Sequence, residues 1–265
     1  MALFLRELSR NFKSFIIWTL ILIISNIGLM MMYPMIAEQA GEYNELMKKL
    51  PKEMLKGLSM DKLNFAQILD FFAYVFLYII LFGCVYAILL ATSIISKEES
   101  EKTVEFLMAK PVTRNTIVTA KTLCVFFYIT VFNVVFTVAD YLAFEALKKS
   151  GYDINIFLLM HLGFFLIMIT FAAIGLLVSV FIVKAKSIYP VAFGIVLGAF
   201  FINITAAISD KLENLKYLTP FKYINPSDIV SSGRIEGVYI IIMAAVTLVS
   251  VALTYVFYNR KDICV

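Results

Sequence analysis

The sequence predicts an all-α, polytopic membrane protein with six transmembrane helices. Three observations carry this. Hydrophobic residues make up 62% and charged residues 16% of the 265, where a soluble domain would carry about a quarter charged. Six separate runs, 15–37, 68–95, 117–144, 156–183, 188–208 and 238–258, are apolar and reach the roughly 20 residues that a helix needs to cross a bilayer core. Almost everything else is a short link, apart from one charged, helix-competent insert at 96–116. The chain reads as a single membrane domain over 1–265.

Residues 1–14 come first. Leu5, Leu8, Phe12 and Phe15 recur at helical spacing, with Arg6, Arg10 and Lys13 elsewhere around the helix. That pattern predicts an N-terminal interfacial helix with basic residues facing anionic headgroups. The apolar run that follows is too long for a signal-peptide core and no small-residue cleavage site follows it. It is expected to stay as the first span. Lys and Arg divide almost evenly between the two sides, so the early cluster Arg6, Arg10 and Lys13 decides, and it favours an inside N-terminus. An even number of spans then puts both termini in the cytoplasm.

The link after the first span is the longest on the outer side. Residues 43–50 suit a short helix stopped by Pro51, and a second short helix can run on to Leu58 with Pro51 in its first turn. A solvated connector is the expectation. Residues 184–187 form a tight inner turn, and Pro190 opens the fifth span where it costs no hydrogen bond. Within that span Gly194 and Gly198 make a G-x-x-x-G pattern. It allows close approach of another helix, of this chain or of a second subunit. In the link 210–236, Pro220 and Pro226 break helices, and Ser227 or Asp228 is a candidate cap. The closing stretch 258–263 is aromatic then basic, which suits a helix leaving the bilayer on the inner side.

Several chemistries are excluded. There is no G-x-x-x-x-G-K-[ST], so no P-loop on this chain, and no H-E-x-x-H or nucleophile elbow. The three cysteines, Cys84, Cys124 and Cys264, have no metal-ligand spacing. A net charge of +4 offers no clustered basic face for nucleic acid. The one histidine, His161, falls near the outer end of the fourth span. It is expected to be an interfacial polar residue, not a catalyst. Asn26, Asn133, Asp140 and Asn203 are the polar residues that stand out within spans. Asp140 is the one ionisable group well inside the third span, a functional-site hypothesis by default. Its closeness to the outer boundary, with Glu145 following, predicts that it reaches the headgroups. Asn133, nearer mid-span, is expected to hydrogen-bond between helices.

The insert begins Ser96-Lys97-Glu98-Glu99, which fits a capping box if the second span ends there. Glu98, Glu99 and Glu101 complement a helix N-terminus, and Glu98 and Lys102 stand at i,i+4. Ser100, Val104, Leu107 and Met108 share a face. Pro111 ends this helix and Thr113 caps the next, which carries Arg114 and Lys121. Physics alone leaves open whether the amphipathic face meets lipid or a partner protein.

Glu98-Glu99, Thr103-Val104-Glu105-Phe106-Leu107 and Lys110-Pro111-Val112-Thr113-Arg114 resemble the signature between the second and third spans of type-2 ABC exporter permeases. The sequence departs from it at Lys102, where the family usually has Gly. Glu7 with its basic neighbours, Leu50-Pro51, Leu218-Thr219-Pro220-Phe221 and the closing stretch are similar to the family as well, so the resemblance covers essentially the whole chain. It implies a membrane-spanning permease subunit of an ATP-driven exporter in the cell membrane, with cytosolic termini and a cytosolic coupling helix in the insert. It implies a second permease subunit, homo- or heterodimeric, and a separate P-loop ATPase subunit that binds ATP and Mg. On this chain it implies no cofactor and no enzyme activity. Glu98, Glu99, Thr103, Val104, Glu105, Leu107, Met108, Pro111 and Arg114 would couple to the ATPase. Asn26, Asn133 and Asp140 are then candidates for the translocation path or for helix packing. The alternative is a non-transporting immunity or scaffold protein that keeps the permease fold.

Overall fold

The computed structural model describes residues 2–100, 112–149, 151–182, 184–208 and 210–261. These are almost entirely helical, with no strand among them. Six helices are long and apolar enough to cross a membrane. In chain order the helices are α1 (Ala2–Met30), α2 (Tyr33–Glu38), α3 (Ala40–Lys48), α4 (Lys52–Gly57), α5 (Ile68–Ser100), α6 (Arg114–Leu147), α7 (Ile154–Ser179), α8 (Ile188–Ile208), α9 (Pro220–Tyr223), α10 (Pro226–Ser232) and α11 (Gly237–Arg260). Helix α1 with α2 makes the first span; α5, α6, α7, α8 and α11 make the other five. At about 1.5 Å per residue, α5 and α6 each run to roughly 50 Å, well beyond a hydrocarbon layer of about 30 Å.

The second span is the most covered, while the fifth and sixth leave most of their surface open. Helix α5 packs chiefly on α7, and also touches α1, α6 and α8; α1 packs mainly on α6, and α11 on α7. The α5–α7 contact is close because of glycine. A Cβ at Gly83 would sit 2.4 Å from the Phe164 ring, and one at Gly175 3.0 Å from the Ile88 carbonyl oxygen. Gly194 and Gly198 behave differently, with no atom of another element among the described residues within 4 Å of a Cβ at either.

The separate interfacial helix expected over 1–14 is corrected: α1 runs unbroken from Ala2 to Met30. The face that it buries against the other helices is polar near its start. Leu5 and Phe12 are exposed, whereas Glu7, Asn11, Phe15, Thr19, Leu22, Asn26 and Met30 are buried. In a membrane helix the polar residues turn towards protein and the apolar ones towards lipid.

Several ends move as well. The second span does not stop at 95, so the Ser96 capping box does not form: α5 continues to Ser100. The Ser96 hydroxyl donates back to the Thr92 carbonyl at 2.6 Å, as a buried helix-interior serine does. Thr113 caps α6 as expected, its hydroxyl accepting from the Thr116 amide at 3.2 Å. Pro220 and Pro226 start helices α9 and α10, where a missing N–H costs nothing. The caps there are Thr219 and Asn225, not Ser227 or Asp228.

Candidate functional site

The insert end of the bundle is held by the first turns of α6. Thr113 starts the helix, and Arg114 follows at once. Its guanidinium donates to three carbonyls at the end of α11: Tyr258 at 3.2 Å, Asn259 at 2.9 Å and Lys261 at 2.7 Å. All three contacts come from one guanidinium nitrogen, Nη1, which shares its two N–H groups among these C-terminal carbonyls. The Asn259 amide adds a 2.6 Å bond to the Asn115 side chain, and Lys261 reaches the Val180 carbonyl at 2.5 Å. The third and sixth spans and the end of the fourth thus meet at one point.

Two turns further in, Lys121 is fully buried. Its ammonium pairs with the buried Glu7 carboxylate of α1 at 3.2 Å and donates to the Ile94 carbonyl of α5. Beside it the Tyr128 hydroxyl donates to the Leu8 carbonyl, and the Asn11 amide to the Glu7 carbonyl at 2.9 Å. One lysine therefore links three spans next to the insert. The sequence reading treated Lys121 as an ordinary inner basic residue and noted Glu7 only through resemblance. The polar residues Glu7 and Asn11 at i,i+4 mark the face of α1 that turns to protein, but nothing in the sequence names Lys121 as the partner.

A second buried polar cluster lies towards the other end. Asp140 does not reach the headgroups: it is 1% exposed. Its carboxylate accepts from the Asn26 amide at 2.7 Å and contacts His161 Nε2 at 3.0 Å. His161 Nδ1 lies 2.9 Å from the Phe157 carbonyl, and its ring sits among Phe72, Phe76, Phe136 and Phe157. His161 is thus a core residue and not an interfacial one. Asp140 is buried because α6 turns that face inward, where Asn26 and His161 satisfy it. The cluster joins the first, third and fourth spans. Asn133 is buried too, and its amide nitrogen has no partner among the described residues. No group of His, Cys, Asp and Glu among the described residues could hold a metal ion.

Of the expected coupling residues, Thr103, Val104, Glu105, Leu107, Met108 and Pro111 lie outside the described residues. Glu98 and Glu99 belong to the last turn of α5. Arg114 stands at the start of α6, engaged with α11. The structure brings Asn26 and Asp140 together and leaves Asn133, Gly194 and Gly198 apart from them.

Six apolar spans make this a multi-pass membrane protein. No curated protein matches the chain. A family model described as "ABC-2 family transporter protein" matches residues 1–263, essentially the whole length, and the chain therefore belongs to the ABC-2 transporter family.

Proposed function

We propose that the chain is the membrane subunit of an ATP-driven exporter and that its coupling region is 96–116. Membership of the family makes it the membrane-spanning part of an ABC transporter associated with an ATP-binding subunit. The finer reading has a separate chain binding ATP and Mg, two permease subunits side by side, and the insert and both termini in the cytoplasm of a plasma-membrane protein. Closure of the ATPase pair then pushes on Glu105, Val104, Leu107 and Met108.

One observation favours the insert as the point where motion enters. The helix leaving it, α6, is bonded within its first turns to the sixth span through Arg114, and to the first and second through Lys121. A push there is delivered to three other spans over bonds shorter than a helix turn. The test is co-purification with a candidate P-loop ATPase, comparing the unaltered chain with Glu105→Arg, together with stimulated ATPase activity. Association lost or uncoupled by Glu105→Arg is the expected result. Absence of any ATPase on the unaltered chain overturns the exporter reading. Unchanged association and stimulation in the variant overturn the coupling assignment alone.

A further inference from the structure

At the end of the bundle opposite the insert lies a cleft of about 400 Å³. The connection between the first two spans, the end of α8 and the connection leading into α11 form it. Four lysines line it: Lys56, Lys62, Lys216 and Lys222. Asn203, Ala206 and Ala207 of α8 line it too, so it opens where an apolar span ends, at the depth of lipid headgroups.

Its centre is a carboxylate held between two ammonium groups. Asp228 Oδ1 lies 2.5 Å from Lys62 Nζ, and Oδ2 lies 2.6 Å from Lys222 Nζ. Asp61 and Glu236 line the cleft as well, and Asp61 acts on Lys62. An ammonium has three N–H donors, so Lys62 and Lys222 each keep N–H groups beyond the one given to Asp228. Next to them, Ser227 is 3% exposed, and its hydroxyl has no partner among the described residues although it lines the cleft. The walls around that hydroxyl are already built: Asn225 accepts from the Ser227 amide at 3.0 Å and donates to the Ser59 hydroxyl at 2.8 Å. A buried hydroxyl left over beside two ammonium groups calls for an acceptor with several lone pairs.

We propose that this cleft binds a phosphate-type oxyanion, taken by Lys62, Lys222 and the Ser227 hydroxyl. The volume exceeds that of a bare phosphate and falls within the range of small-molecule sites. The same chemistry is supplied by a phospholipid headgroup or by a soluble phosphate compound, and the proposal does not depend on the direction of transport.

The experiment follows the thermal unfolding midpoint of the full chain in a neutral detergent. Inorganic phosphate is titrated against chloride at constant ionic strength, and phosphatidylglycerol is compared with diacylglycerol in mixed micelles. Phosphate is expected to raise the midpoint saturably. Lys222→Gln and Ser227→Ala are each expected to weaken the apparent affinity by about tenfold. Ser227→Ala removes only an unpartnered hydroxyl, so it keeps the test sharp if Lys222→Gln loosens the fold. A shift with phosphatidylglycerol alone supports the site with a lipid source; a shift with phosphate alone supports it with a soluble source. No shift with either, or shifts in both variants equal to the unaltered chain's, overturns it.

Discussion

Lys121 and Glu7 offer the sharpest test of how the insert end is held. At 3.2 Å and an effective dielectric of about 20, their attraction is about 5 kcal/mol. Taking both ions out of water costs several kcal/mol each, so the pair adds little net stability. Removing one ion changes the balance. Lys121→Met leaves the Glu7 carboxylate buried without its cation and the Ile94 carbonyl without its donor. Glu7→Gln replaces the carboxylate that faces the ammonium with a neutral amide. A loss of about 3 kcal/mol is expected for each single change. The double variant carries no stranded charge, and its expected loss is about 2 kcal/mol or less. The assay is a double-mutant cycle on unfolding free energy in detergent micelles. The coupling should come out at about 4 kcal/mol or more in favour of the pair. Single losses that simply add, within about 0.5 kcal/mol, would refute the idea that this pair ties the first span to the third.

Other outcomes follow from the same geometry. Gly83→Ala should cost about 1–3 kcal/mol by forcing a methyl into the Phe164 ring, whereas Gly194→Ala, with open space around it, should cost nothing in the same unfolding measurement. Arg114→Ala removes the Nη1 donor that three carbonyls share; a loss of about 1–2 kcal/mol and faster hydrogen exchange at 258–261 are expected. Burial works to raise the Asp228 carboxyl, but Lys222 and Lys62 outweigh it and hold the group below its ordinary value. A lowered carboxyl contributes stability above its unfolded value of about 3.9 and loses it as pH falls through the folded value. Lys62 is held above its ordinary value, chiefly by its hydrogen bond to Asp228, so its share is complete below about 10.4 and fades only above that. The thermal midpoint should therefore drop below about pH 4, and Asp228→Asn should flatten that acid limb.

The spans were legible because a helix in lipid has to be apolar along some 20 residues, and nothing else in the sequence imitates that. Thr113 was legible as a cap because a proline two residues earlier forces a fresh helix start. Ser96 was misread for a related reason: S-x-x-E marks a helix start only where the preceding helix stops, and a local pattern carries no information on that. The face that α1 buries was not legible from its apolar periodicity. Leu5, Leu8, Phe12 and Phe15 read as a membrane-facing stripe, and a stripe of that kind does not say what the opposite face meets. The informative residues were the polar ones at Glu7, Asn11 and Asn26. Their partners Lys121 and Asp140 lie over a hundred residues away, and spacing along the chain could not pair them. His161 was assigned to the interface for want of a partner that only the folded bundle supplies.

The two ties between the first and third spans share a register. Glu7 meets Lys121 and Asn26 meets Asp140, each at a sequence separation of 114. From Lys121 to Asp140 the third span rises about 28 Å, close to the thickness of the hydrocarbon layer. Two parallel helices are thus pinned near both edges of the apolar layer. A slip of one turn, about 5.4 Å, would break both ties at once and leave Lys121 and Asp140 against apolar side chains, where an unpartnered polar group is costly. Rotation of one helix against the other would break the same bonds. Under the proposed coupling, a push at the start of α6 would reach the first span in register, and the freedom for a transport cycle would come from the fifth and sixth spans, which are the least covered by their own chain.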